Sequence, residues 1–284
     1  MVPHRLKDTI KLILIIILIF LISYIINCIC STILIQKQSK LLDNIQQSKN
    51  DNKSSNNIND ISQQNNFQDA QTTDEKAYNK NVNDTNYNIK KNERMTKIET
   101  LQKENEDIKG WIEIEGTAIN YPVLQGTDNK FYVDHNYNKE KTKSGAIFID
   151  MVYDWNLPST NMLIYGHNMK NGTMFTSLMN YKNKKYFEEH PVIRFTTATS
   201  DNEYEIISAF ESKIYNDSEE VFKYYNFINA NNEEEFNNYI TNIKKMSIYD
   251  THKTAEYGDE LITLSTCAYH TKDGRFVVVA KKIY

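Results

Sequence analysis

Leu261-Ile262-Thr263-Leu264-Ser265-Thr266-Cys267 is an apolar, β-branched run that ends in a thiol, and Arg275-Phe276-Val277-Val278-Val279-Ala280 follows it after a polar loop. Each run is short and bounded by loop residues, the pattern of two strands that are neighbours in sequence. Far upstream, Met162-Leu163-Ile164-Tyr165 leads into Gly166-His167-Asn168. A lone thiol, a distant histidine and an arginine, each at a strand end, are what a cysteine nucleophile with a base and an anion stabiliser requires. Taken singly, each has a plainer role: a buried structural cysteine, a surface histidine, a solvated arginine. Their joint placement favours the chemical reading.

Working outward, Trp111 to Ile114, Ala118 to Val123, Gly145 to Ile149, Val192 to Thr196 and Tyr204 to Phe210 also read as short strands with turns between. Met174 to Tyr181 reads as a short helix. Before them, Met95, Ile98, Leu101, Asn105 and Ile108 recur at helical spacing, with Gly110 as a stop. A long insertion, Asn216 to Gly258, holds a further helix. Glu233-Glu234-Glu235 lead it, Lys244-Lys245 close it, and Phe236, Tyr239, Ile240, Ile243 and Met246 share one face. Its roles are packing over the sheet or forming one wall of a substrate groove, to which Tyr224-Tyr225 could contribute. The fold class is mostly β, one closed or nearly closed barrel over residues 92–284.

The rest of the chain cannot build a core. Residues 12–35 form an apolar segment that reaches roughly 36 Å as a helix, enough for a hydrocarbon layer of about 30 Å. A cleaved signal peptide is the competing reading, but its apolar stretch is shorter and ends at a small-residue site not found here. Ile26-Asn27 fits poorly before a lipid-modified Cys28. Arg5, Lys7 and Lys11 precede the segment and Lys37 and Lys40 follow it, which slightly favours a cytoplasmic tail at 1–11. Residues 36–91 are rich in Asn, Gln, Ser, Asp and Lys, and read as a flexible tether, spanning on the order of 40 Å r.m.s.. Cys28 and Cys30 lie in the apolar segment, so an exported domain would carry one unpaired thiol, Cys267. A net charge of −4 leaves no basic footprint for nucleic acid. The histidines have no metal-ligand spacing with each other or with a cysteine, and no cofactor is called for.

Thr263-Leu264-Ser265-Thr266-Cys267, with Arg275 in Gly274-Arg275-Phe276-Val277-Val278, resembles the signature of the sortases, and Tyr165-Gly166-His167-Asn168 resembles their histidine motif. The resemblance runs from about Lys97 to Tyr284. The N-terminal helix and the helix-bearing insertion resemble class B sortases in particular. The resemblance implies an eight-stranded β-barrel and a Gram-positive surface transpeptidase without a catalytic metal. The short N-terminal tail and the large C-terminal part fit a single-pass membrane protein with its catalytic domain outside. Such a transpeptidase cuts a C-terminal sorting motif, Asn/Ser-Pro-x-Thr-x in type, and joins the new end to a cell-wall peptide amine or peptidoglycan precursor. It selects His167 over His270, which lies three residues from the thiol in a polar loop. It maps substrate contacts onto Asn129, Val133 and Ser265, although Asn129 could equally cap a turn. Ala268 stands where some class B members carry an acid, so a substrate contact from that position is missing.

The residues themselves agree with this chemistry. A thiolate carries an acyl group between two amines. A free thiol has a pKa near 8.5, so a cationic neighbour raises its thiolate fraction. His167 supplies that charge and then protonates the leaving amine. Arg275 stays charged and steadies the carbonyl oxygen. A cysteine protease of the same geometry, a pilus-assembling relative, and a surface-binding domain with an inert Cys267 are the alternatives.

Overall fold

A computed structural model describes residues 71–157 and 159–283. The apolar segment 12–35 and residues 36–70 lie outside the described residues. Among the described residues, no helix is long and apolar enough to cross a membrane.

Helix α1 spans Gln71–Glu104. It begins well ahead of Asn92, inside the segment that composition assigns to the tether. No Gly or Pro interrupts Gln71–Glu104, and Lys, Glu, Gln and Ala are good helix formers, so nothing local stops the helix. Its face toward the rest of the domain centres on Ile98, which is fully buried. The helix ends earlier than the apolar spacing suggests. The Asn105 side chain accepts from the Asp107 N–H at 3.0 Å, an Asx turn that redirects the chain. Ile108 therefore opens strand β1 (Ile108–Glu113), and Gly110 lies within that strand instead of stopping a helix.

The other strands are β2 (Asn120–Leu124), β3 (Ile147–Ile149), β4 (Asn161–Gly166), β5 (Val192–Thr196), β6 (Asp201–Lys213), β7 (Leu261–Cys267) and β8 (Gly274–Ile283). They close into a barrel in the order β1-β2-β3-β4-β7-β8-β6-β5, with β5 pairing back to β1. Pairs β2/β3 and β4/β7 are parallel, and the rest are antiparallel. Closure leaves no strand with a free edge in the ring. The stretch at Met174 to Tyr181 is a 3₁₀ segment, Thr176–Lys182. The short helix α2 (Lys184–Glu189) follows it, capped by Asn183.

Strand alternation decides which side chains meet. On β7, Ile262 and Leu264 point into the barrel with Ile164, Phe276 and Val278. Leu261 points outward, into a second cluster with Leu163, Val277, Val279, Phe236 and Tyr239. Both faces of β7 are thus buried, which is why this strand reads as a continuous run and not as alternating polarity. The outer cluster is covered by α3 (Glu233–Met246), the insertion helix. The Asn232 side chain caps it, accepting from the Glu235 N–H at 2.9 Å, and Phe236, Tyr239, Ile240 and Ile243 are its buried face. The helix packs over the barrel, as the amphipathic pattern predicts.

Candidate active site

The period of two on β4, β7 and β8 carries the site. Leu163 and Tyr165 pack with the outer cluster, and so do Leu261, Val277 and Val279. Kept at that even spacing toward one end of the three strands, His167, Cys267 and Arg275 fall on the same outer face. Cys267 is opposite Arg275 in the antiparallel register of β7 and β8, so their Cβ atoms are about 5 Å apart. The parallel register of β4 and β7 pairs Gly166 with Thr266, which brings His167 abreast of Cys267. Two hydrogen bonds tie these strand ends together. Thr266 Oγ1 donates to Gly166 O at 2.8 Å, and Asn168 Nδ2 donates to Cys267 O at 2.9 Å.

The three residues line a groove of about 300 Å³, together with Asn129, Val133, Phe148, Tyr165, Gly166, Ile214, Ser265 and Thr266. All six residues singled out from sequence therefore line one cavity. Their contacts differ in kind. Val133 O accepts from His167 Nε2 at 2.7 Å. A carbonyl can only accept, so this bond puts a proton on Nε2 and leaves Nδ1 as the ring nitrogen that takes up or releases one. Gly145 makes the arrangement possible. Its φ is +55°, and a Cβ there would stand 2.3 Å from Val133 O. Ser265 is buried, and its hydroxyl pairs with the Tyr224 hydroxyl at 2.7 Å. It forms the groove floor. The Asn129 amide donates to Asp150 Oδ2 at 3.0 Å and accepts from the Met151 N–H at 2.8 Å. The turn cap is Asp128, whose carboxylate accepts from the backbone of Lys130 and Phe131.

Arg275 Nη1 donates to the carbonyls of Asp273, at 3.3 Å, and Gly274, at 2.9 Å. This leaves Nε and Nη2 for other acceptors. Tyr224, from the insertion, is fully buried between these groups. Burial pushes its phenol up to about 12, against the pull of the Ser265 hydrogen bond and the Arg275 charge. Burial and the Asp150 carboxylate likewise hold the Tyr165 phenol well above its usual value. Both hydroxyls stay protonated at neutral pH, and that of Tyr165 donates to Asp150 Oδ2.

His270 is exposed and faces Glu211, 3.7 Å away; it does not line the groove. His135 stacks on Phe131, His190 bonds Glu115 O and His252 pairs with Asp250. Sequence reasoning passes over Tyr165, Asn168, Asp150 and Ile214 as parts of the site, and raises Tyr224 only with Tyr225 as a contribution from the insertion. Tyr165 and Asn168 flank His167 in the quoted run, and Asp150 is a lone acid directly after an apolar strand. Those placements are the signals that could have found them. Tyr224 had only its place in the insertion to mark it.

A Sortase domain profile matches residues 112–283. The chain is 34% identical over 209 residues to the Sortase B of Listeria monocytogenes, covering 73% of this chain and 81% of that relative. It is 32% identical over 190 residues to the Sortase B of Staphylococcus aureus, covering 66% and 74%. The chain belongs to the class B sortases. Solved sortase B structures share its barrel. A Staphylococcus aureus sortase B–substrate complex superposes with a TM-score of 0.62 at 29% identity, over 76% of this sortase and 99% of that chain. The sortase B of Clostridium perfringens gives 0.57 at 33% identity, over 66% and 99%. The sortase is a cysteine transpeptidase by family.

Proposed function

We propose that this sortase is a single-pass membrane enzyme. Residues 12–35 anchor it and the catalytic domain is extracellular. It cuts an Asn/Ser-Pro-x-Thr-x type motif near the C-terminus of a surface protein and transfers the new end to a cell-wall peptide amine. Cys267 Sγ attacks the scissile carbonyl, and the oxyanion is held by the free N–H groups of Arg275. The C–N bond breaks as the histidinium of His167 gives its proton to the leaving amine. The resulting thioester is attacked by the incoming amine. The C–S bond breaks, thiolate leaves, and the amine's proton returns to His167. One observation carries the reading: three strand ends deliver a thiol, an imidazole and a guanidinium to one rim of a single groove, with Cys267 and Arg275 in direct register.

The test incubates the full-length protein with motif peptides, with and without an added peptide amine, and resolves products by mass. The expected result is an amide-linked product in the presence of amine and no cleavage by Cys267→Ala. Cleavage that survives Cys267→Ala moves the nucleophile elsewhere. A free acid as the sole product at saturating amine makes the enzyme a protease.

A further inference from the structure

Asp150 follows β3, is 6% exposed, and stands behind the groove wall. Its backbone is fixed: its N–H donates to Leu163 O at 2.8 Å, and its carbonyl accepts from Gln125 Nε2 at 3.1 Å. Its carboxylate meets three donors. Oδ1 accepts from the Val152 N–H at 3.0 Å, and Oδ2 accepts from Asn129 Nδ2 at 3.0 Å and the Tyr165 hydroxyl at 2.8 Å. Asn129 and Tyr165 both line the groove.

We propose that Asp150 is a positioning residue that fixes the hydrogen-bonding polarity of this wall, so that the groove accepts a substrate carboxamide or hydroxyl there and rejects a carboxylate. This rests on the reading that the groove binds the sorting motif. A carboxylate has no hydrogen to give, so Tyr165 commits its only O–H to Asp150 and turns bare oxygen lone pairs to the groove. The buried phenol stays protonated and holds that orientation. The Asn129 amide cannot flip, because Asp150 takes one N–H while the Met151 N–H takes its oxygen. Its second N–H remains. The wall therefore offers an acceptor, Tyr165 Oη, beside a donor, Asn129 Nδ2. A primary carboxamide brings the complementary N–H and C=O, and a hydroxyl can serve either group. A carboxylate would set lone pairs against Tyr165 and a negative charge one hydrogen bond away from Asp150. A site built to pair a polar hydrogen rejects an analogue lacking it more strongly than an apolar pocket rejects a change of size.

The test uses full-length wild type, Asp150→Asn, Tyr165→Phe and the double variant. Peptide pairs differ only by Asn against Asp, at one motif position at a time, and steady-state constants are measured for each; the position with the largest wild-type preference is the one carried through the variants. Wild type is expected to favour the Asn peptide by about 100-fold or more in kcat/KM. In Asp150→Asn the new amide can donate to Tyr165 and turn its O–H toward the groove. The preference is then expected to shrink at least about tenfold, through KM, with kcat held within about threefold. Tyr165→Phe removes the acceptor, and is expected to lose the preference to a similar extent. The double variant should lose no more than the larger single loss. An Asp150→Asn enzyme with wild-type preference overturns the proposal, as does one that loses kcat alone. If Asp150→Asn does not fold, an unchanged preference in Tyr165→Phe overturns it equally. A wild-type protein that cleaves neither peptide defeats the functional reading itself and, with it, this inference.

Discussion

Arg275→Lys keeps the charge and removes the fork. Two of the five N–H donors of a guanidinium are committed here, both on Nη1, to the carbonyls of Asp273 and Gly274. The rest lie in one plane on Nε and Nη2 of this residue, which stands directly opposite Cys267. A lysine ammonium that kept the Gly274 contact would retain two donors on a flexible stem, with no shared plane. The substitution thus costs at least one oriented donor to the developing oxyanion. Such a loss lowers kcat by about 10²–10³, or about 3–4 kcal/mol of transition-state stabilisation. Ground-state binding rests mainly on the groove walls, so KM should move little. Steady-state kinetics on the best motif peptide, with circular dichroism to establish equal folding, measures this. An Arg275→Lys enzyme within about threefold of wild type in kcat would remove Arg275 from the chemistry.

Other substitutions separate the rest of the site from its scaffold. His167→Ala should lose about 10²–10⁴ in peptide cleavage rate, whereas His270→Ala, which faces Glu211, should stay within about twofold; the reverse ranking would overturn the base assignment. Gly166→Ala should destabilise the fold by about 1–3 kcal/mol in urea titration, because its Cβ would stand 2.4 Å from Ile147 Cδ1; cleavage should fall with it, since His167 is the next residue. Tyr224→Phe leaves the buried Ser265 hydroxyl without its partner and should cost about 1–3 kcal/mol in the same titration. Asp201 is buried, which alone would raise its carboxyl, but hydrogen bonds from Arg94 and Thr196 and the charges of Arg94 and Arg194 hold it below its ordinary 3.8. Its contribution to stability is therefore present above that pH and lost as pH falls below it. Asp201→Asn should show a shallower acid limb in a pH series of thermal melts, and an unchanged limb would place the acid sensitivity elsewhere.

The barrel was legible because its strands are short apolar runs separated by turns, and α3 because its acids, bases and apolar stripe all agree on one helix. The three candidate reacting residues were legible because each sits at one end of such a run, His167 and Cys267 closing theirs and Arg275 opening its own. The boundary errors have local causes. An Asx turn at Asn105 ended a helix whose apolar spacing continued to Ile108, and the stretch before Asn92 turned out helical without any apolar stripe to announce it. The groove wall was harder to read. Asp150, Tyr165 and Asn129 meet across three separate segments, and no local pattern encodes that meeting. Tyr224 reaches Ser265 from the insertion, over a separation of 41 residues. Such pairings follow from barrel closure, which sequence periodicity implies only in outline.

The order in which the strands occur has a temporal side. Asn168 reaches the Cys267 carbonyl across 99 positions of chain, and Arg275 arrives only on β8, the strand that joins β6 to β7 and seals the ring. Contacts this distant in sequence carry a loop-closure cost that slows folding. Without β8, the thiol has no guanidinium opposite it and strands β6 and β7 lose their shared partner. On the chemistry proposed above, catalytic competence is thereby tied to closure of the ring.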